Sequence, residues 1–189
     1  MDLNQIDMAM KAYASKLSES EQERLRFFRT LWGVQAEVQK EHGAKVEHAV
    51  PDADTLKQSS KDEQPVLRAY PADIPADVLA DAAQRLAGVM AAFEQFDHAT
   101  RDALAGVRWD RLVAASDMKL AGSDPSAYVE AFAGLLQDDG LGEDAARMGA
   151  SVISLALRAL LEPIAQEVQA VRVDGNADQP YPVHCPVCG

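Results

Sequence analysis

Cysteine is almost missing from this 189-residue chain. The two present, Cys185 and Cys188, sit together at the C-terminal end, which is not the spread of cysteines that staples a small secreted domain. Aromatic residues are scarce at 6%, and with alanine abundant this favours closely packed helices over a β-sandwich. Positive charge is short: 18 Lys and Arg stand against 30 Asp and Glu, a formal net charge of −12. Nucleic acid is thereby excluded as a partner for the bulk surface, since phosphate binding is largely neutralisation by Lys and Arg. Anionic lipid is disfavoured for the same reason. No uninterrupted run of about 18 apolar residues occurs, so no membrane insertion is expected. The opening Met-Asp-Leu-Asn-Gln has neither the basic nor the apolar stretch of a secretory signal. The expectation is a cytoplasmic protein. A hydrophobic fraction of 48% and a charged fraction of 25% exclude disorder along the whole length and allow a substantial core.

Helical patterning is what the chain has in quantity. Leu3, Ile6, Met10, Tyr13 and Leu17 recur at spacings of three and four, one stripe of a helix ending near Leu17. Ser18 with Glu21 three residues on is a capping box that opens a second helix. Its apolar face is Leu25, Phe28, Leu31, Trp32, Val34 and Val38, and Gly43 falls at C′. From about 44 to 71 the periodicity dissolves among Pro51, Asp52, Asp54, Ser59, Ser60, Lys61, Asp62 and Pro65. A stretch of that length reads as a mobile polar connection, with one helical turn near 54–59 and residues 66–70 extended against the core.

Helical order resumes after Asp73, with Pro75 in the first turn. It runs through Val78, Leu79, Ala82, Leu86, Val89, Met90, Phe93 and Phe96 to a break at 97–100. Ala103, Leu104, Val107, Leu112 and Val113 continue in shorter pieces, with Gly106 a weak point. Asp124-Pro125 is an N-cap followed by proline at N1, ahead of Tyr128, Phe132, Leu135 and Leu136, and Asp138-Asp139-Gly140 stops that helix. From about 143 to 171 the chain is apolar on nearly every side, the pattern of a central buried helix, which Pro163 should kink or restart. No segment alternates with period two. The expected fold class is all-α: a bundle of six or seven helices over residues 1–172, then a linker and a short Cys-x-x-Cys tail at 173–189.

Most single residues carry no chemistry in this pattern. His42 lies beside Gly43 at a helix C-terminus, His48 in the connection and His98 at a helix junction; with no partner at ligand spacing, each reads as a surface residue. Trp32 and Trp109 fall near apolar stripes and read as partly buried anchors. Asp138, Asp139, Glu143 and Asp144 flank Gly140 without the order of a calcium loop, so a solvated turn is the better account. No phosphate-binding loop, nucleophile elbow or zinc-protease motif occurs, and no acid, base and nucleophile converge, so the chain is not read as an enzyme.

The exception is His184-Cys185-Pro186-Val187-Cys188-Gly189. Two thiolates at i and i+3 in a tight turn can grip one metal ion, and a following glycine lets the backbone amides point at sulfur, as in zinc-ribbon and rubredoxin-type knuckles. His184 adjoins Cys185 and is expected to point away, which leaves Cys185 and Cys188 as a half-site. A thioredoxin-like redox pair needs a helix after the cysteines, and none follows Gly189, so redox catalysis is not expected.

A long helical segment leading through a polar linker into Cys-Pro-Val-Cys-Gly resembles the formate dehydrogenase accessory proteins, the FdhE family. Weaker echoes are Glu23-Arg24-Leu25, Pro65-x-Leu67 before the third helix, and the alanine-rich apolar helix at 150–168. The resemblance implies a helical N-terminal domain followed by rubredoxin-like modules that hold iron or zinc. It further implies a non-catalytic maturation factor that binds the catalytic subunit of a molybdenum- or tungsten-dependent formate dehydrogenase. The later cysteine pairs of that family are not in this sequence, so the chain is expected to stop where a metal module would begin. Two alternatives stay open: a metal-free all-helical chaperone for twin-arginine-exported molybdoenzymes, and an unrelated zinc-ribbon adaptor. An acidic surface suits an arginine-rich client segment.

With two thiolates per chain, a monomer should not retain stoichiometric zinc or iron. Elemental analysis of purified protein checks this, and one tightly held metal per monomer contradicts it. Two chains pooling their pairs into a four-thiolate site would show as a dimer that chelator dissolves.

Overall fold

The computed structural model describes residues 3–56 and 65–175, with side chains to residue 170. It is all-α. The helices are α1 (Leu3–Tyr13), α2 (Glu19–His42), α3 (Val66–Ala69), α4 (Ala76–Ala91), α5 (His98–Gly106), α6 (Trp109–Ala115), α7 (Met118–Ser123), α8 (Pro125–Asp138) and α9 (Glu143–Gly175), and residues 53–56 are helical as well. Six or seven was thus an undercount among the described residues, because three of the elements are only one or two turns long. No strand forms there; the β-type pairing is a single antiparallel bridge between Glu47 and Asp73.

Local chemistry sets most of the boundaries. Ser18 accepts from the Glu21 amide at 3.3 Å while the Glu21 carboxylate accepts from the Ser18 amide at 2.8 Å, which closes the expected capping box on α2. Asp97, Asp117 and Asp124 each accept backbone amides at the starts of α5, α7 and α8. Pro125 stands at N1 of α8, where its missing N–H costs nothing. Gly140 ends the turn after α8 with φ +98°, a conformation that glycine alone adopts without strain.

Two elements run differently from the sequence expectation. Residues 66–69 are a helical turn and not an extended segment; Pro65 is itself extended, and the turn behind it lets Val66 and Leu67 both bury, which adjacent positions of a strand could not do on one face. The described parts of the 44–71 connection are also anchored, with Val46, Pro51 and Leu56 buried in the core. The long stripe after Asp73 breaks earlier than 97–100: Pro75 precedes α4 as its cap, α4 ends at Ala91, and Phe93 and Phe96 lie in the turn that follows. α9 continues to Gly175, past residue 173 where a linker was expected to start.

α9 is the centre, packing on α2, α4, α5 and α8, while α4 meets α2, α5, α6 and α9. Ile153, Ala156, Leu157, Leu160 and Ile164 of α9 are almost wholly enclosed, and α4 adds Leu79, Ala82, Ala83 and Leu86. The alanines let helix axes approach closely. By length and composition alone α9 would suffice to cross a bilayer, yet its apolar side chains are spent on its neighbours, and Ser151, Ser154 and Arg158 form a narrow exposed stripe. Pro163 lies inside the helix, neither ending nor restarting it. Trp109 is an anchor as expected, 1% exposed and stacked on Phe132 with ring centroids 6.3 Å apart, whereas Trp32 is half-buried.

Leu157→Ala or Leu160→Ala should cost about 2–5 kcal/mol by removing fully packed methyl groups. Gly122→Ala should also destabilise, because a Cβ there would collide with the Ala72 carbonyl, whose own amide donates to Gly122 O at 3.1 Å. Gly134→Ala, in open space on α8, should be neutral or stabilising by up to about 1 kcal/mol. Thermal melts of the variants check the order, and equal effects at positions 122 and 134 would contradict the packing described.

Candidate functional site

Cys185 and Cys188, with His184, lie outside the described residues. The nearest described part of the chain is the second half of α9, and the end of α2 crosses it there. Gly43 is buried, and a Cβ on it would sit 3.2 Å from Pro163 Cγ. Its φ of −55° is right-handed, so it is not the left-handed C′ cap expected from sequence. Glycine is useful at this position because the chain presses onto the proline of α9. Pro163 also lacks the amide that would bond the Ala159 carbonyl.

Around this crossing, polar side chains from α2, α4 and α9 meet. The Arg85 guanidinium donates to Glu41 at 2.7 Å and to Glu37 at 3.0 Å, and lies 3.7 Å from Asp81. Asp81 also faces His42 Nε2 at 2.9 Å, and Lys45 Nζ lies 3.1 Å from His42 Nδ1. Lysine is only a donor, so Nδ1 accepts and the ring proton sits on Nε2, where it donates to Asp81. A relay Lys45–His42–Asp81–Arg85 results. His48 faces Glu167 Oε2 through Nε2 at 3.1 Å and the Val46 carbonyl through Nδ1 at 3.4 Å.

Both histidine side chains are largely covered, at 14% and 16% exposure. The sequence reading of them as unpartnered surface residues is therefore corrected. Their carboxylates come from 39 and 119 residues away, a pairing that no local spacing reveals. His98 is at the surface as expected, 79% exposed, but it does have a partner, Asp102 one turn on at 2.8 Å.

The electrostatic result is an acidic strip. Glu37, Glu41, Glu47, Asp73, Asp77 and Asp81 are all exposed. Asp77 and Asp81 are one turn apart on α4, Asp73 precedes them, and the bridge places Glu47 beside Asp73. Lys45 and Arg85 offset only part of this charge. The acidic cluster at 138–144 is partly paired, Asp139 with Arg111 of α6 at 2.8 Å and Glu143 with Arg147 at 2.8 Å. Among the described residues no three His, Cys, Asp or Glu side chains converge as a metal-holding group. The strip is a patch of exposed like-signed carboxylates.

Structural carboxylates elsewhere carry a pH signature. Asp124 is held below the usual carboxylate range by the Ala127 amide and then by Arg68, 2.8 Å away, which ties α3 to α8. Asp97 is lowered by Thr100, and Asp7 chiefly by its hydrogen bond to Arg29. Burial of Tyr128 pushes its phenol up, opposed by the 2.7 Å hydrogen bond with Ser116.

No family model, curated protein or solved structure matches the chain.

A depressed carboxylate binds fewer protons folded than unfolded, so it stabilises above its unfolded pKa and the effect is lost as pH falls through the lower folded value. Stability should accordingly fall from about pH 5 to pH 3, and Asp124→Asn should flatten part of that slope while lowering stability at neutral pH. Denaturant midpoints across this range check it; an unchanged slope in the variant would show that the cap contributes nothing.

Proposed function

We propose that this chain is a non-catalytic maturation factor that binds the catalytic subunit of a molybdenum- or tungsten-dependent formate dehydrogenase. The observation that carries this is the order of parts: a helical body, then a linker, then the Cys185-Pro186-Val187-Cys188-Gly189 knuckle. That order resembles the formate dehydrogenase accessory proteins. The role is recognition and timing, without turnover, in the cytoplasm before the client is finished or exported.

The acidic strip on α2 and α4 supports the reading. Arg85 and His42 hold three of its carboxylates, Glu37, Glu41 and Asp81, and an array of exposed negative charge is complementary to an arginine-rich or lysine-rich client segment. Iron or zinc belongs to this function only through Cys185 and Cys188. The all-helical body with an acidic face equally suits a metal-free chaperone of twin-arginine signal peptides; the cysteine pair favours the accessory-protein reading over it.

Purified chain, immobilised, should capture the catalytic subunit of a formate dehydrogenase from the same cell. Capture should weaken as salt rises, since charges on such a surface are screened over about 8–10 Å near physiological ionic strength. Asp73→Asn with Asp77→Asn, both exposed, should reduce capture without changing the melting curve by more than a small helix-terminus effect. Failure to capture the subunit at low salt would refute the assignment, and enrichment of other molybdoenzyme signal peptides would favour the metal-free chaperone.

A further inference from the structure

The N-terminal hairpin, α1 with the first half of α2, is closed by contacts of its own. Gln22 Nε2 donates to the Ala14 carbonyl at 2.9 Å and to the Leu17 carbonyl at 3.1 Å. Arg29 grips Asp7 with two prongs, Nε to Oδ1 at 2.6 Å and Nη2 to Oδ2 at 3.0 Å. The pairings 14–22 and 7–29 run in opposite directions, so α1 lies antiparallel along one face of α2. That face carries Gln22, Leu25, Arg29 and Trp32, spaced by three and four and all half-buried. The core face of α2 is a different stripe, with Leu31, Gln35 and Val38 buried. α1 answers with Leu3, Ile6, Asp7 and Met10, a single helical face, also half-buried. None of its 11 residues is fully buried.

A helix of that length is marginal in water on its own and depends on what it packs against. For α1 the packing is one strip of half-exposed side chains and the Asp7–Arg29 pair, with side chains 42% and 29% exposed. Gly33, one turn beyond Arg29, leaves room for the guanidinium; a Cβ there would lie 3.3 Å from Arg29 Nη1. Separating α1 from α2 therefore uncovers little apolar surface, whereas opening α9 uncovers the whole core. We propose that α1 is a strap that opens as a unit while the body stays closed, and that the Asp7–Arg29 pair sets how often it opens. Opening bares Leu25 and Trp32 beside Phe28, which is already 43% exposed and stacked on Trp32 at 6.0 Å. One exposed ring then becomes a continuous apolar face. The acidic strip begins further along α2, at Glu37, and keeps its contacts in either state.

Hydrogen exchange of the full chain at fixed pH, in chelator and reductant, reads the strap directly. Amides in 7–13 should exchange at least about 100-fold faster than those in 150–164, because a local opening leaves the global fold intact. Asp7→Asn should speed exchange in 7–13 by a further factor of about three, the scale of a partly exposed ion pair. Exchange in 150–164 and the thermal melt should stay unchanged. Arg29→Gln should give the same acceleration, and the double variant no more than either alone, since both remove one interaction. Added salt should speed exchange in 7–13 of the parent chain but not of Asp7→Asn, because it screens the same pair. Exchange in 7–13 as slow as in 150–164 would overturn the strap, since α1 would then open only with the whole fold. Variants that leave 7–13 unaffected, or whose effects add in the double variant, would overturn the control assigned to the pair.

Discussion

α9 encloses Ile153, Ala156, Leu157, Leu160 and Ile164 among four other helices, and covering this one helix determines where the rest of the molecule lies. Burial of apolar surface is worth about 25 cal/mol per Å², so a helix apolar on most sides is unstable in water until it is wrapped. α2, α4, α5 and α8 supply the wrapping. Close contact is obtained with small residues: a Cβ at Gly149 would meet Leu136 at 2.6 Å, and one at Gly43 would press on Pro163. The polar crossing near Pro163 follows from the same packing, because the end of α2 lies against both α4 and α9, which carries His42 to Asp81 and the following segment's His48 to Glu167.

Features written within a few residues were legible in the sequence. Ser18 with Glu21, Asp124 with Pro125 and Gly140 marked element ends correctly, since caps and positive-φ turns are decided by neighbours in the chain. The central helix was legible because apolar residues on nearly every side have only one stable location. What escaped depended on distant groups. Val66 and Leu67 form a turn because the core receives both side chains, and no periodicity exists in four residues to announce it. Gly43 had the sequence mark of a left-handed cap but serves close packing against a proline 120 positions later. The carboxylate partners of His42 and His48 lie on other helices, 39 and 119 residues away, beyond any local spacing.

The surface divides by charge into regions of different use. In the acidic strip on α2 and α4, Glu37, Glu41 and Asp81 are tied to Arg85 and His42. The N-terminal hairpin is balanced in charge and leaves Met8, Tyr13 and Phe28 exposed.

Hydrogen exchange followed by mass spectrometry, on the chain alone and mixed with a formate dehydrogenase catalytic subunit at low salt, tests the central claim most directly. The account predicts the slowest exchange in the segment 150–164 in both samples, since opening there requires the whole core to open. It predicts added protection in the mixture at the first turns of α4 and the last turns of α2, beneath the acidic strip. Fast exchange in 150–164, or a mixture with no new protection anywhere on the helical body, would contradict it.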